Sequence, residues 1–160
     1  MATRENASTR GRLRDIENDR YSDYHGTTEV VRYTAAGVVV TTGDLEMVAG
    51  TLDVQDGGAA TQASNKQTTV VISNNSGVIT THNESLAAGV ETTFTVTNTK
   101  VLVTDVIVLN IASGGTSGEY HAFVTDVQAG SFDVTLANMS GSSASDVVVI
   151  NFILLRGAVS

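Results

Sequence analysis

Hydrophobic and polar residues alternate with a period of two in the middle and at the end of the chain, as in β-strands that bury one side. In TTFTVT the apolar positions are Phe94 and Val96, and in SFDVTL they are Phe132, Val134 and Leu136. Threonine, aspartate and serine occupy the positions between them. We expect the five apolar side chains to face a core and the polar ones to face outward.

Seven runs of strand length follow one another between residues 67 and 160, separated by turns rich in Gly, Asn and Ser. The runs are QTTVVIS, GVITT, TTFTVT, DVIVLNI, EYHAFVT, SFDVTL and DVVVINFILL. Short strands at this spacing are typical of sandwiches and jelly rolls. The sequence therefore predicts an all-β fold whose main body, residues 67–160, is an antiparallel, jelly-roll-like β-sandwich.

Two of these runs, DVIVLNI and DVVVINFILL, are apolar on both sides of the strand. A strand of this kind is either central in a closed sandwich or buried against another subunit. The sequence leaves both alternatives open, and it favours an oligomer because two such strands occur in one acidic chain.

Residues 29–66 consist of short strand-like runs, and glycines recur every seven residues at Gly43, Gly50 and Gly57. Glycine permits a turn with positive φ, so we expect these three residues to be corners of a short β stem. A pair of five-residue strands is not stable alone, so the apolar sides need cover from sister copies. The predicted subunit-interface residues are Leu45, Met47, Leu52 and Val54. The alternative is an ordinary β-meander in a monomer.

Residues 1–28 are rich in both charges and poor in apolar residues, which predicts an extended arm that orders on a partner. LRDIENDRY is long enough for only one or two helical turns. Arginines suit carboxylates of another protein because they bind them in a bidentate manner. The predicted anchor residues, which would bind a capsid or tail component, are Arg4, Arg10, Arg12, Arg14, Arg20, Tyr21 and Tyr24. The alternative is a disordered, solvated tail.

The net charge of −8 is confined to the body of the chain, because residues 1–32 carry six arginines and six acidic residues. An acidic surface disfavours nucleic acid as a partner, since phosphate contacts require Lys and Arg. There is no cysteine, so disulfide and thiolate chemistry are excluded. We expect no membrane partner, because no signal peptide is visible and the apolar run 147–155 is too short for a membrane helix.

No catalytic or metal-binding pattern is recognisable, so we expect no enzyme activity, no cofactor and no metal. GGTSG, residues 114–118, lacks the lysine of a phosphate-binding loop and is interpreted as a strand connector. His25, His82 and His121 lack the spacing of metal ligands. The threonines of TTFTVT could bind glycans if an aromatic platform lay nearby, and Tyr120 is the best candidate for it. The alternative is that Tyr120 only caps the core.

Three stretches of the chain resemble a β domain that recurs in structural proteins of tailed bacteriophages, marine ones especially. The specific pieces are LAAGVETTFTVTN, QAGSFDVTLAN and the closing INFILLRG, and the resemblance covers about residues 59–157. GDLEMVAGTLDV is similar to stems that precede such domains in phage fibres. The resemblance implies a homotrimeric component that projects from the virion surface after assembly in the host cytoplasm, and it implies no catalytic residues.

The sequence thus predicts a non-enzymatic, homotrimeric capsid decoration protein whose N-terminal arm binds the major capsid protein or a tail component. The alternative is a tail-fibre or receptor-binding protein that recognises a host surface glycan. Two rival classes are a polysaccharide-degrading domain, which would need paired carboxylates in a cleft, and a monomeric cellular β protein.

Overall fold

The computed structural model describes residues 10–15, 20–25, 28–34, 37–40, 51–54 and 57–157. The chain divides into two compact units, Met1–Leu52 and Asp53–Ser160.

The first unit contains an antiparallel sheet in which each strand pairs with the next along the chain. Its strands are β1 (Arg10–Asp15), β2 (Arg20–His25), β3 (Thr28–Thr34) and β4 (Gly37–Val40). The apolar residues of β3 and β4 predict these two strands, whereas the sequence analysis expected an arm or a short helix before them. Strands β1 and β2 replace that helix. Pairing satisfies backbone N–H and C=O groups whatever the side chains are, so a polar segment can extend a sheet that is already started.

The second unit is a β-sandwich of two four-stranded sheets. Its strands are β5 (Gly57–Thr61), β6 (Val70–Val71), β7 (Ser76–Thr80), β8 (Glu91–Thr97), β9 (Val106–Ser113), β10 (Tyr120–Gln128), β11 (Ser131–Asn138) and β12 (Val149–Leu155). The back sheet has the order β5-β7-β12-β9, and the front sheet has the order β10-β11-β8-β6. The all-β class is confirmed, and each of the seven predicted runs contains a strand.

Both sheets are mixed, which corrects the prediction of a purely antiparallel sandwich. Strand β5 pairs in parallel with β7, and β6 pairs in parallel with β8. The first four strands of the sandwich alternate between the two sheets along the chain. Between two neighbouring strands of one sheet, the chain first crosses to the other sheet and then returns. The returning strand therefore runs parallel to the strand with which it pairs.

The core lies between the two sheets and consists mainly of aliphatic side chains. Phe94, Val96, Phe132, Val134 and Leu136 are each at most 2% exposed, so the inward positions predicted from the alternation are confirmed. The ring of Phe132 in the front sheet meets that of Phe152 in the back sheet edge to face, with 5.3 Å between centroids. Such pairs contribute about 0.5–1.5 kcal/mol beyond their burial.

Residues 51–54 form no strand, although their alternation predicts one. The carbonyl of Val54 instead accepts a hydrogen bond of 3.2 Å from the Ser76 hydroxyl. Gly57, a predicted corner, is the first residue of β5 and does not have a positive φ. The other two glycines of the series lie outside the described residues. The seven-residue spacing therefore does not mark a corner at Gly57.

Buried asparagines hold the connections between strands. Asn138 is fully buried, and its amide nitrogen donates to the carbonyls of Leu86 and Ser142 at 2.8 and 2.9 Å. Asn98 is also fully buried and donates to the carbonyl of Asn74 at 2.8 Å. Both side-chain amides therefore join the backbones of separate connections, and a buried amide left without partners would cost about 1–3 kcal/mol.

Candidate assembly interface

The outer side of the back sheet exposes aliphatic side chains and carries no charge. Along β9, the exposed Val106 and Val108 alternate with the buried Ile107, and along β12 the exposed Leu155 follows the buried Leu154. We define the neutral face as the outward residues of β7, β9 and the part of β12 after Val149 that are large or carry an amide. They are Val78, Val106, Val108, Asn110, Asn151, Ile153 and Leu155.

Strand register makes the neutral face continuous. Leu155 lies opposite Val106, and Ile153 lies opposite Val108 in the next row along the strands. Asn151 sits between Val78 on one side and Asn110 on the other. The exposed fractions of the four outermost aliphatic side chains are 56% for Val106, 46% for Val108, 41% for Leu155 and 38% for Val78. A contiguous apolar patch on a sheet surface is typical of an interaction site.

The neutral face is the second apolar side of the two doubly apolar strands, for which the sequence left two alternatives open. Strand β12 is central in its sheet and β9 is at the edge, yet within the second unit no other strand covers the outer sides of these two strands. The sandwich core covers only one side of each. Their second apolar side is therefore available to a partner.

The front sheet presents a different surface on its outer side. Thr93 and Thr135 share a hydroxyl–hydroxyl hydrogen bond of 2.7 Å, and Thr125 contacts Thr135 at 3.1 Å. The Thr95 hydroxyl donates to a carboxylate oxygen of Asp133 at 2.7 Å. One outer side of the sandwich is thus polar and acidic, and the other is neutral and apolar.

A buried lysine joins three connections at one end of the sandwich. Lys66 is 1% exposed, and its Nζ donates to the carbonyls of His82 and Asp146, the latter at 2.7 Å. The same Nζ lies 6.0 Å from the centre of the Tyr120 ring. Burial lowers the pKa of Lys66 from its usual value, and the nearby carboxylates of Asp146 and Glu84 act in the opposite direction. No sequence pattern marks this residue, because its burial depends on loops that meet only in the fold.

The glycine-rich segment 114–118 connects β9 to β10, which confirms its interpretation as a strand connector. It borders a cavity of about 390 Å³ that is also lined by Ile111 and Tyr120. Gly114, Gly115 and Gly118 have positive φ. The Thr116 N–H already donates to the Glu119 carboxylate at 2.9 Å, so this loop uses a backbone donor for its own closure.

One other sequence-based candidate, the aromatic residue considered for sugar binding, is buried rather than exposed. Tyr120 is only 8% exposed, so its proposed role as a sugar platform is wrong. Its hydroxyl contacts the Asp146 carboxylate at 3.3 Å, at one end of the sandwich.

Within the described residues, no group of three or more His, Asp or Glu side chains is arranged to hold a metal ion. Nor does that part of the chain contain a helix long and apolar enough to cross a membrane.

The predicted anchor residues, apart from Arg4, fall on two paired strands. Arg10, Arg12 and Arg14 occupy alternate positions of β1, and Arg20, Tyr21 and Tyr24 lie on β2. Arg4 lies outside the described residues, as do Leu45 and Met47 of the predicted interface. Leu52 is 64% exposed and Val54 is half-buried. The roles assigned to all these residues stay predictions.

The neutral face is not predicted as one continuous surface by the sequence, although the sequence contains a signal for it. Asn110 and Asn151 interrupt the two doubly apolar runs, and the register places them side by side.

No family model matches the chain, and the searches of curated proteins and of solved structures returned no match either.

Proposed function

We propose that this chain is a non-enzymatic structural protein of a tailed-bacteriophage particle, and that its copies assemble through the neutral face. The single observation that carries the assembly is the uncharged aliphatic outer side of the back sheet. The virion context and the number of three copies come from the sequence resemblance. In this proposal the jelly-roll-like body projects from the capsid surface as a decoration, and the N-terminal arginines and tyrosines bind a capsid or tail component.

Charge favours other copies of this chain as the occupants of the neutral face. The body of the chain is acidic, so two copies repel each other at most surfaces. The neutral face lets them meet without opposing like charges, and it leaves the acidic front sheet facing solvent. Nucleic acid stays outside the proposal because the front sheet has no lysine or arginine in β8, β10 or β11.

The energetics set the concentration at which assembly is expected. Full burial of the five partly exposed aliphatic side chains of the neutral face contributes roughly 5 kcal/mol per copy. Loss of rotational and translational freedom opposes this by about 4–15 kcal/mol per association. Two such faces contribute roughly 10 kcal/mol, so at the lower limit of this cost the neutral face alone supports only weak association, with a dissociation constant of about 40 μM. Contacts from the rest of the chain determine how tight the assembly becomes.

Sedimentation of the full chain at several micromolar concentrations tests the assembly. The wild type is expected to sediment as a trimer and Val108→Asp as a monomer, because a carboxylate would be buried in the interface. Val71→Asp is the matched control, since Val71 is 68% exposed at the edge of the front sheet and is expected to leave the trimer intact. A monomeric wild type, or a trimeric Val108→Asp variant, would contradict the proposal.

Antibody labelling of intact particles tests the location. Signal on the head supports a decoration protein, whereas signal confined to the tail would replace it with the tail-fibre alternative. Turnover of host envelope glycans by the purified protein would contradict the non-enzymatic part of the proposal.

A further inference from the structure

Strand register places two short rows of side chains on the outer side of the front sheet. One row contains Phe123, Thr135 and Thr93, and the next contains Asp126, Asp133 and Thr95. Neighbouring strands are about 4.8 Å apart, and successive outward residues on one strand are about 7 Å apart. The two rows therefore cover an area comparable to one or two sugar rings.

The second row sets two carboxylates directly opposite each other. Asp126 and Asp133 are cross-strand partners next to the irregularity that follows Val124. Like charges in this position are destabilising. Among the described residues, no lysine or arginine forms a salt bridge with Asp126 or Asp133 that would offset this pair. The pair of carboxylates therefore opposes fold stability rather than supporting it.

Each carboxylate is held in place by one polar neighbour. The Thr95 hydroxyl donates to Oδ1 of Asp133 at 2.7 Å, and the Gln128 amide donates to Oδ2 of Asp126 at 2.6 Å. The other oxygen of each group receives no hydrogen bond from a side chain described here. The row thus offers two oriented acceptors side by side, where neighbouring hydroxyl groups of one molecule can reach them.

An aromatic ring lies in the adjacent row. Phe123 is half-buried and points to the outer side, because Ala122 and Val124 on either side of it pack against the core. The ring of His121 lies 5.3 Å from it, tilted by 37°. The two rings form an apolar shelf next to the acceptors. This is the combination that the sequence analysis sought around Tyr120.

We propose that the outer side of the front sheet binds neutral carbohydrate, with Asp126 and Asp133 accepting hydrogen bonds from sugar hydroxyls and Phe123 packing against a sugar ring. Carbohydrates present donors along their edge and an apolar C–H surface on their face, which matches the two rows. Anionic sugars are rejected, because Glu91 adds a third carboxylate to this sheet and β8, β10 and β11 contain no lysine or arginine. The site is independent of the neutral face and of the assembly proposed above.

Binding of the full chain to soluble neutral polysaccharides tests the site, with dextran, laminarin and mannan as probes and alginate as the acidic comparison. Affinity electrophoresis is expected to show retardation by at least one neutral probe and none by alginate. Phe123→Ala and Asp133→Asn are each expected to weaken the retardation at least tenfold. Val71→Ala, a truncation of an exposed aliphatic side chain on β6, is expected to leave it unchanged, and unfolding midpoints check that all variants fold.

Several results would overturn the carbohydrate site. These are no retardation by any neutral probe, retardation by alginate equal to that by the neutral probes, and unchanged retardation in both variants. Retardation that disappears on chelation of divalent cations would also overturn it, because the carboxylates would then hold a metal ion rather than sugar hydroxyls. Since the assembly is read by sedimentation, failure here leaves the proposed function intact.

Discussion

Arg156 donates from one nitrogen to both carboxylate oxygens of Asp105, at 2.8 and 3.1 Å. The Asp105 side chain is completely buried, whereas that of Arg156 is 52% exposed. The backbone N–H of Leu102 also donates to this carboxylate, at 2.8 Å. The contact fastens the end of β12 to the loop before β9, and it gives a structural role to the arginine of the closing motif INFILLRG.

We expect Arg156→Met to lower the free energy of unfolding by about 1–3 kcal/mol, because it leaves a buried carboxylate with fewer donors. Urea unfolding at neutral pH measures the loss. Arg156→Lys is the matched variant, because lysine keeps the positive charge but lacks the planar guanidinium group. Its free energy of unfolding should lie between those of the wild type and Arg156→Met. If Arg156→Met changes the free energy of unfolding by no more than about 0.5 kcal/mol, as an ordinary surface substitution does, the backbone N–H donors alone are sufficient to stabilise the buried carboxylate.

Gly77 lies directly beneath Phe152 in the back sheet. A Cβ at this position would be 2.5 Å from the Phe152 ring, and Phe152 is 3% exposed and cannot move outward. Gly77→Ala is therefore expected to lower the thermal unfolding midpoint, at a cost of about 1–3 kcal/mol. Gly141→Ala is the control, because a Cβ there meets nothing within 4 Å. Equal midpoints for the two variants would mean that the core tolerates the extra methyl group.

The Tyr120 hydroxyl should make stability depend on alkaline pH. Burial raises the pKa of Tyr120 above its usual value of 10.0, and the nearby Asp146 and Glu119 carboxylates raise it further. The folded state then retains a proton that the unfolded state loses. Its stabilising contribution is complete below pH 10 and falls as the pH rises from 10 towards the folded-state pKa.

Unfolding midpoints of the wild type and Tyr120→Phe between pH 8 and 11 isolate this group from the other titrating residues. The wild type should lose more stability above pH 10 than the variant does. Parallel curves for the two proteins would show that Tyr120 does not contribute to the alkaline loss.

The second unit should fold without the first. Every side chain of the buried core lies between Val70 and Leu154, and the unit boundary follows Leu52. A fragment of residues 53–160 is expected to unfold cooperatively, with a midpoint within a few degrees of that of the corresponding transition in the full chain. Calorimetry measures both transitions. A fragment without a cooperative transition would contradict the independence of the sandwich.

Removal of residues 1–28 alone tests whether the N-terminal strands stabilise the first sheet, the sandwich or both. It deletes β1 and β2 and leaves β3 and β4 as a two-stranded pair, which is marginal in water. We therefore expect that variant to lose the first sheet while its sandwich stays folded. Loss of the sandwich as well would show that the N-terminal residues contribute to its stability.

The alternation of side chains predicts the longer strands because burial on one side imposes a period of two. Phe94 and Phe132 are buried as that pattern requires. The same rule fails for residues 51–54, where alternation exists but no neighbouring strand pairs with the segment. It also misses β5, whose sequence GGAAT has almost no side-chain signal. That strand forms because its backbone pairs with β7, and Gly58 allows the close approach of Asn74.

The candidate sites divide in the same way. Two asparagines within apolar runs hint at the neutral face, but only the register shows that Asn110 and Asn151 are adjacent. In EYHAFVT, Tyr120 and Phe123 are three positions apart, so they lie on opposite sides of the strand. The alternation does not show which of the two faces the core. No sequence pattern around Lys66 indicates that this residue is buried.

The sequence by itself determined that this is an all-β chain with an acidic body, and it determined most of the inward residues of the sandwich. These properties depend on each residue's own polarity and on its spacing from its neighbours, so they can be read locally. The tertiary structure alone decided which strands pair, which outer side stays apolar and which carboxylates meet across strands. Those relationships join residues that are far apart in the chain, and hydrogen-bond register, rather than local pattern, brings them together.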